Sequence, residues 1–253
     1  MIFPRLIPCL LLANESFVKT TRFSEPKYLG DPINIIKIFN DLEVDEVTVF
    51  DIEASKNGES PNFRFIEKLA NECRMPLCYG GGVTSPEEVE SLISIGVEKV
   101  SINCANFTHP DIIHESVSRV GSQSVVGTVD VMFDEYKNKF EIHTCSVSVD
   151  RNYDVINHVR FLEDSGVGEI IINTVHRDGT LLGYDYKLLE TVFDKIKTPL
   201  TFLGGASGID DILFLHENYK HVGAGVGSYF VLKGKFRAVL ISYPSWEDRQ
   251  LKI

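Results

Sequence analysis

The sequence predicts an α/β fold, a single (β/α)8 barrel of the TIM type, on three observations. Short β-rich runs alternate with amphipathic stretches along the 253 residues. The runs are near-continuous in apolar residues, as expected of parallel strands covered on both faces. The two halves of the chain also resemble each other. Val44-Asp45-Glu46-Val47 pairs with Val167-Gly168-Glu169-Ile170, and Gly81-Gly82-Val83 with Gly204-Gly205-Ala206, each at an offset of 123 residues. That period is too long for a solenoid repeat and fits a barrel made of two similar half-barrels. Such barrels commonly occupy about 250 residues as one domain, so residues 1–253 are taken as one. An open doubly wound sheet is the alternative architecture.

The expected strands, in order, are Arg5–Leu11, Glu46–Asp51, Leu77–Gly80, Lys99–Asn103, Val125–Asp130, Glu169–Asn173, Leu200–Leu203 and His221–Val226. Helical patterns fall between them at Asn34–Leu42, Phe63–Glu72, Pro86–Ile95, Ile112–Val120, Val155–Asp164, Lys187–Ile196 and Ile209–His216, within an alternation of eight strands and eight helical segments. Ser85-Pro86-Glu87-Glu88 opens the third with an N-cap, a proline at the first helical position and acidic residues in the first turn. Leu6–Ala13 follows Arg5 and mimics a short signal peptide. Pro8 interrupts it and no small-x-small site precedes Asn14-Glu15, so a buried first strand is the better reading. The connection Leu12–Phe23 is long, and long connections in compact domains are commonly lids.

Composition narrows the function classes. A net charge of −11 argues against a general binder of nucleic acid or anionic membrane, which wants an excess of Lys and Arg. No apolar stretch approaches the ~18 residues of a membrane span. Five cysteines (Cys9, Cys73, Cys78, Cys104, Cys145) form no C-x-x-C pair, so reduced thiols in a cytoplasmic protein are expected and no metal site is. Gly223-Ala224-Gly225-Val226-Gly227 lacks the full spacing of a dinucleotide loop, and no cofactor is expected.

The glycines carry the first functional signal. Gly80-Gly81-Gly82 and Gly204-Gly205 each follow a strand, where backbone amides can close on phosphate oxygens. Asn103-Cys104 and Gly227-Ser228, in the next loop of each half, can complete the same cradles. Tight turns alone explain a single pair as well. Two cradles related by the repeat favour a substrate with a phosphate at each end.

The residues Ile7-Pro8-Cys9-Leu10, Lys19, Phe50-Asp51-Ile52, Gly80-Gly81-Gly82, Val100-Ser101-Ile102-Asn103, Gly121-Ser122-Gln123, Val129-Asp130, Arg177-Asp178-Gly179-Thr180, Gly183-Tyr184-Asp185 and Gly204-Gly205-Ala206 resemble, collinearly, the HisF-type cyclase subunit of imidazole glycerol phosphate synthase. The resemblance implies a (β/α)8 barrel of histidine biosynthesis. Such a barrel takes ammonia from a separate glutaminase subunit and closes an imidazole ring on a ribulosyl carboxamide bearing two phosphates. It further implies that Gly82, Asn103, Asp178, Gly179, Gly205 and Ser228 hold phosphate, and that Lys19 on the lid reaches substrate.

One departure stands out. The family pattern reads I-P-C-L-D, and that Asp works with a second as paired general acid and base. The second is present as Asp130, but the first position is Leu11, which cannot carry a proton. Such a group is typically worth ~10²–10⁴-fold in rate. Asp51 is a possible stand-in, although a structural hydrogen-bonding carboxylate is the preferred reading.

Arg5, Glu46, Lys99 and Glu169 each begin an expected strand, hence lie near the N-terminal face. They match the family's ring of alternating charges, a gate between the docked glutaminase and the barrel. Charged residues also cover barrel bottoms simply for solvation.

Two functions stay open. One is a barrel that passes glutaminase-derived ammonia to a different acceptor. Relatives of the subunit are associated with amidination of sugars for surface polysaccharides, where a third, ATP-using amidotransferase acts. The other is a genuine cyclase of histidine biosynthesis. Leu11 favours the first and the doubled phosphate cradle the second.

Overall fold

The computed structural model describes residues 5–143 and 154–249. Among these, eight parallel strands close a barrel: β1 (Leu6–Ala13), β2 (Val47–Asp51), β3 (Leu77–Gly80), β4 (Lys99–Ile102), β5 (Val125–Asp134), β6 (Glu169–Thr174), β7 (Leu200–Leu203) and β8 (Gly223–Val226). Each pairs with the next in chain order, and β8 returns to β1 through Leu6↔Ala224, Ile7↔Gly225 and Pro8↔Val226. Closure leaves the eight barrel strands as one continuous ring and rules out the open sheet.

Among the described residues, seven helices of eight or more residues cover the strands: α1 (Pro32–Asp41), α2 (Phe63–Glu72), α3 (Pro86–Ser94), α4 (Ile112–Val120), α5 (Val155–Asp164), α6 (Tyr186–Phe193) and α7 (Ile209–Asn218). Their starts follow local chemistry. The Ser85 side chain accepts from the Glu88 amide while Glu88 reaches back, a capping box at the expected N-cap, and Asp31, Asp154 and Asp185 cap α1, α5 and α6. The eighth helical segment is reduced to Ser228–Val231, followed by the small hairpin Leu232–Lys233/Ala238–Val239. Gly234 at φ +70° turns that hairpin. Pro244 lies beyond it, where the chain runs on in turns rather than a long helix.

Two features exceed the expected pattern. Strand β1 runs on to Ala13, turns at Asn14-Glu15 with positive φ at both, and returns as Ser16–Lys19, which pairs antiparallel with it and with Lys27–Gly30. The expected first lid is thus largely a β-meander. Strand β5 similarly extends to Asp134 and folds back as Lys139–Ile142. The Phe23 and His143 rings, 5.9 Å apart, join these two additions above the mouth.

Side-chain alternation divides the interior into two cores. One, built from residues such as Leu10, Val49, Tyr79, Val129, Ile172 and Phe202, lies between strands and helices. The other, Ile7, Cys9, Cys78, Val126, Ile171 and Leu203 with Phe50 against it, fills the barrel itself. No helix among the described residues is long and apolar enough to cross a membrane.

Candidate functional site

Alternation along the strands sets the site's floor. Arg5 directly precedes β1, Glu46 directly precedes β2, and Lys99 and Glu169 open β4 and β6, all on the inward parity. They meet as a closed ring. Arg5 pairs with Glu169 through both guanidinium nitrogens, Lys99 Nζ lies 2.9 Å from Glu169 Oε2 and 2.8 Å from Glu46 Oε2, and Arg5 Nη1 lies 3.8 Å from Glu46 Oε2. Thr201 Oγ1, at the first inward position of β7, donates to Glu169 at 2.5 Å and accepts from Arg5 at 2.8 Å. Burial raises Glu46 above the ordinary carboxylate range, partly offset by Lys99. Burial also opposes ionisation of Glu169, but Arg5 and Lys99 outweigh it and hold that carboxyl below its usual range. The ring is therefore tightly paired rather than loosely solvated.

Above the ring, the inward positions are small or apolar: Ile7, Thr48, Cys78, Val126, Ile171 and then Cys9, Ser101, Thr128 and Leu203. The Ser101 and Thr128 hydroxyls pair at 2.6 Å. None of these side chains carries a formal charge, so the barrel interior between floor and mouth is uncharged. Burial pushes the Cys9 thiol up to about 12 and keeps it protonated.

A cavity of about 480 Å³ opens at the strands' C-terminal ends, lined by Leu11, Lys19, Phe50, Asp51, Gly82, Asn103, Asp130, Asn173 and Asp178 among others. Leu11 on β1 and Asp130 on β5 stand four strands apart in the closed order, on opposite walls. As the sequence implied, the place across the mouth from Asp130 is held by an apolar side chain and not by a second carboxylate. Asp130 is buried and accepts from Asn103 Nδ2 at 2.7 Å and Asn173 Nδ2 at 2.8 Å. Burial nonetheless pushes its pKa up to about 6, the two amides pulling the other way. Asp51 accepts from the Glu53 and Ala54 amides and caps the short helix Ile52–Asn57. Its structural role is therefore visible.

The glycine loops are demanded by the backbone first. Gly82 sits at φ +70°, where a Cβ would press on the Glu59 carbonyl and the Ala54 side chain, and Gly205 at φ +98° is closed in by the Gly183 carbonyl. The Gly82 amide donates to Ser55 Oγ at 3.0 Å, so an arriving anion must share or displace that hydroxyl. Gly82 and Asn103 line the main cavity, whereas Gly179, Gly205 and Ser228 line a smaller adjoining pocket that shares Asp178, Leu203 and Gly227 with it. The two cradles are thus spatially distinct ends of one mouth. Asn103 and Asp178 sit differently from a simple phosphate ligand: the Asn103 amide is engaged by Asp130, and Asp178 by Lys19 and Thr20.

Lys19 lies on the first hairpin, its Nζ 2.6 Å from Asp178 Oδ1, with the Thr20 hydroxyl donating to Asp178 Oδ2 at 3.0 Å. Arg22 extends the seam by donating its backbone N–H to the Asp178 carbonyl. Residues missed in the sequence are Asn173, Thr20 and Thr201. The first and last shared the inward parity of Glu169 and of Leu203, which was the available signal. Arg237, from the C-terminal hairpin, also reaches the second cradle, donating to Ser228 Oγ at 3.1 Å. Of the cysteines, Cys9, Cys73 and Cys78 are free as expected, but Cys104 is disulfide-bonded, which corrects the reduced-thiol reading at that position. Spacing along the chain cannot show which thiols meet in space. Cys145 lies outside the described residues.

The profile of the family described as "Histidine biosynthesis protein" matches residues 5–237. A Vibrio vulnificus (strain YJ016) protein provisionally named imidazole glycerol phosphate synthase subunit hisF3 is 44% identical over 250 residues, covering 99% of this chain and 96% of that one. A Pseudomonas aeruginosa protein provisionally named subunit hisF2 of the same synthase is 43% identical over 244 residues, with 96% and 97% covered. The imidazole glycerol phosphate synthase subunit HisF of Lactococcus lactis subsp. cremoris (strain MG1363) is 33% identical over 230 residues, with 91% and 89% covered. With its closed barrel, charged floor and glycine-lined mouth, the chain belongs to the histidine biosynthesis protein family, as a HisF-type member.

Proposed function

We propose that this barrel is the synthase-side subunit of a glutamine amidotransferase complex. A HisH-like glutaminase docks on the N-terminal face, ammonia passes the ring of Arg5, Glu46, Lys99 and Glu169, and it reaches an acceptor at the C-terminal mouth. The acceptor we favour is a nucleotide sugar amidinated for surface polysaccharide, with an ATP-dependent amidotransferase as further partner and the complex in the cytoplasm. The ring of alternating charges beneath an uncharged interior carries this reading. Ammonia must travel unprotonated to act as a nucleophile, and an uncharged passage closed by paired charges keeps bulk water from the route. Asp130 is then available to take the proton that the attacking nitrogen loses, whereas Leu11 can donate none.

The second reading is a genuine imidazole glycerol phosphate synthase subunit, the name the relatives carry, acting on the bisphosphorylated ribulosyl carboxamide that the resemblance implies. It is favoured by the two distinct glycine cradles. One experiment separates the two. The purified barrel is given ammonium salt and the ribulosyl substrate, and ring closure is followed directly. Absence of turnover supports the first reading, and turnover at rates ordinary for enzymes, ~1–10³ s⁻¹, overturns it.

A further inference from the structure

We propose that His143 is the second proton-carrying group of the mouth and works with Asp130 as an acid–base pair on one wall of the barrel. The assignment deepens the amidotransferase reading and rests on it for the reaction served. Strand β5 and its return strand Lys139–Ile142 pair antiparallel in unbroken register, from Asp134↔Lys139 to Val131↔Ile142. One step further Asp130 and His143 stand opposite each other, and the His143 backbone N–H donates to the Asp130 carbonyl at 2.8 Å. Residues so placed present their side chains to the same face, with Cβ atoms ~4.5–5.5 Å apart. Parity shows which face that is. Val131 belongs to the outer core between strands and helices, and Ile142 packs against it. Asp130 and His143 therefore turn inward, and both line the mouth cavity. The half-buried His143 ring also meets the edge of Phe23 from the first connection.

The other groups around Asp130 do not exchange protons with it. Asn103 and Asn173 are amides that donate N–H to its two oxygens, and Leu11 across the mouth is apolar. Lys19 and Asp178 hold each other at 2.6 Å, and Asp51 caps a short helix. Among the described residues lining the cavity, His143 is the one imidazole. An imidazole ordinarily changes charge between about pH 5 and 8 and serves as acid or base. Burial pushes the Asp130 carboxyl up to about 6, while Asn173, Asn103 and His143 favour its ionised form and Asp178 opposes it. Carboxylate and imidazole thus titrate as a coupled unit.

The step served is addition of ammonia to a carbonyl carbon. The nitrogen lone pair forms the N–C bond as the C=O π pair moves to oxygen. Nitrogen then carries one proton too many and oxygen a negative charge. The Asp130 carboxylate takes the nitrogen proton and the His143 imidazolium gives one to the oxygen. A neutral adduct results, with both side chains neutral. One proton passed from Asp130 to His143, directly or through water, restores the starting state. Side chains rooted ~5 Å apart suit two atoms joined to one carbon.

The test begins with the barrel alone, so its first outcome is independent of glutaminase and acceptor. NMR of labelled histidine and aspartate follows both titrations. Asp130→Asn should lower the His143 midpoint by about one pH unit, and His143→Gln should raise the Asp130 midpoint by about as much. His143→Asn is the second variant if His143→Gln fails to fold. Unchanged midpoints in folded variants overturn the pair. The proton role is read with ammonium salt and the bisphosphorylated ribulosyl carboxamide, enzyme in excess and free ammonia held constant. His143→Gln should slow nitrogen incorporation about 10²-fold with substrate affinity kept, and should remove the alkaline limb of the pH profile. An unchanged rate and profile overturns that role. If the wild-type barrel incorporates no nitrogen, the comparison is made in Leu11→Asp, where His143→Gln should move the acidic limb upward by the NMR shift. A fixed limb there overturns the pairing. Loss of glutamine coupling with the two titrations still linked would remove the amidotransferase reading and leave the pair standing.

Discussion

Lys19 Nζ lies 2.6 Å from Asp178 Oδ1, and this buried pair ties the first hairpin to the loop after β6 across the barrel mouth. The pair closes one side of the cavity and sits where the two glycine cradles meet. Lys19 must leave Asp178, or share it, to reach a substrate phosphate.

Removing Lys19 alone strands a buried carboxylate with little more than the Thr20 hydroxyl. Lys19→Met should therefore cost about 3 kcal/mol of unfolding free energy, while Lys19→Met/Asp178→Leu should recover much of it because both charges are gone. Urea unfolding of the two singles and the double measures the coupling. A coupling near zero would mean that the pair does not hold the mouth closed.

The Leu11 position predicts a gain of function. Leu11→Asp restores a second carboxylate opposite Asp130 and should raise cyclase activity with ammonium salt by ~10²–10⁴-fold if the phosphate cradles are otherwise competent. Steady-state ring closure on the bisphosphorylated ribulosyl carboxamide is the measurement. If the variant folds and shows no gain, the mouth has diverged beyond this one side chain.

Asp130 makes stability depend on pH in a defined direction. Burial pushes its pKa to about 6 in the folded protein, against 3.8 ordinarily. The folded state therefore holds this proton more tightly than the unfolded state. Its contribution is full below the ordinary value and is lost as pH rises through 6, by about 3 kcal/mol. Asp130→Asn cannot titrate, so the difference in unfolding free energy should shift toward the variant by about 2 kcal/mol between about pH 4 and pH 7. A pH-independent difference would contradict the assignment.

The ring predicts a selective loss of coupling. Lys99 bridges Glu46 and Glu169 at 2.8 and 2.9 Å. Lys99→Ala opens the floor and leaves Glu46, already raised by burial, without its main counter-charge. Product formation from glutamine should fall well below that of the wild type, while product formation from ammonium salt, which can enter at the C-terminal mouth, should fall much less. A cyclase-competent Leu11→Asp background supplies the assay. Equal losses with the two nitrogen sources would point to a purely structural ring.

The barrel and its charged floor were legible in the sequence because both depend on local rules. Apolar runs fix the strands, their starts fix which residues sit lowest, and alternation with period two decides which of those point inward. Arg5, Glu46, Lys99 and Glu169 satisfied all three conditions before any contact was known. Leu11 announced the missing carboxylate only through the resemblance to the family pattern. The mouth was different, because its partners are distant in the chain. Asp130 lies 27 residues from Asn103 and 43 from Asn173, and Lys19 lies 159 from Asp178. Only closure of the barrel sets strands β4 to β6 side by side and brings the first hairpin onto the β6 loop. Those encounters make Asn103 a partner of Asp130 and engage Lys19 and Asp178 with each other. Which atom of an amide is engaged depends on what it meets in space, and that is decided by barrel closure rather than by the local sequence.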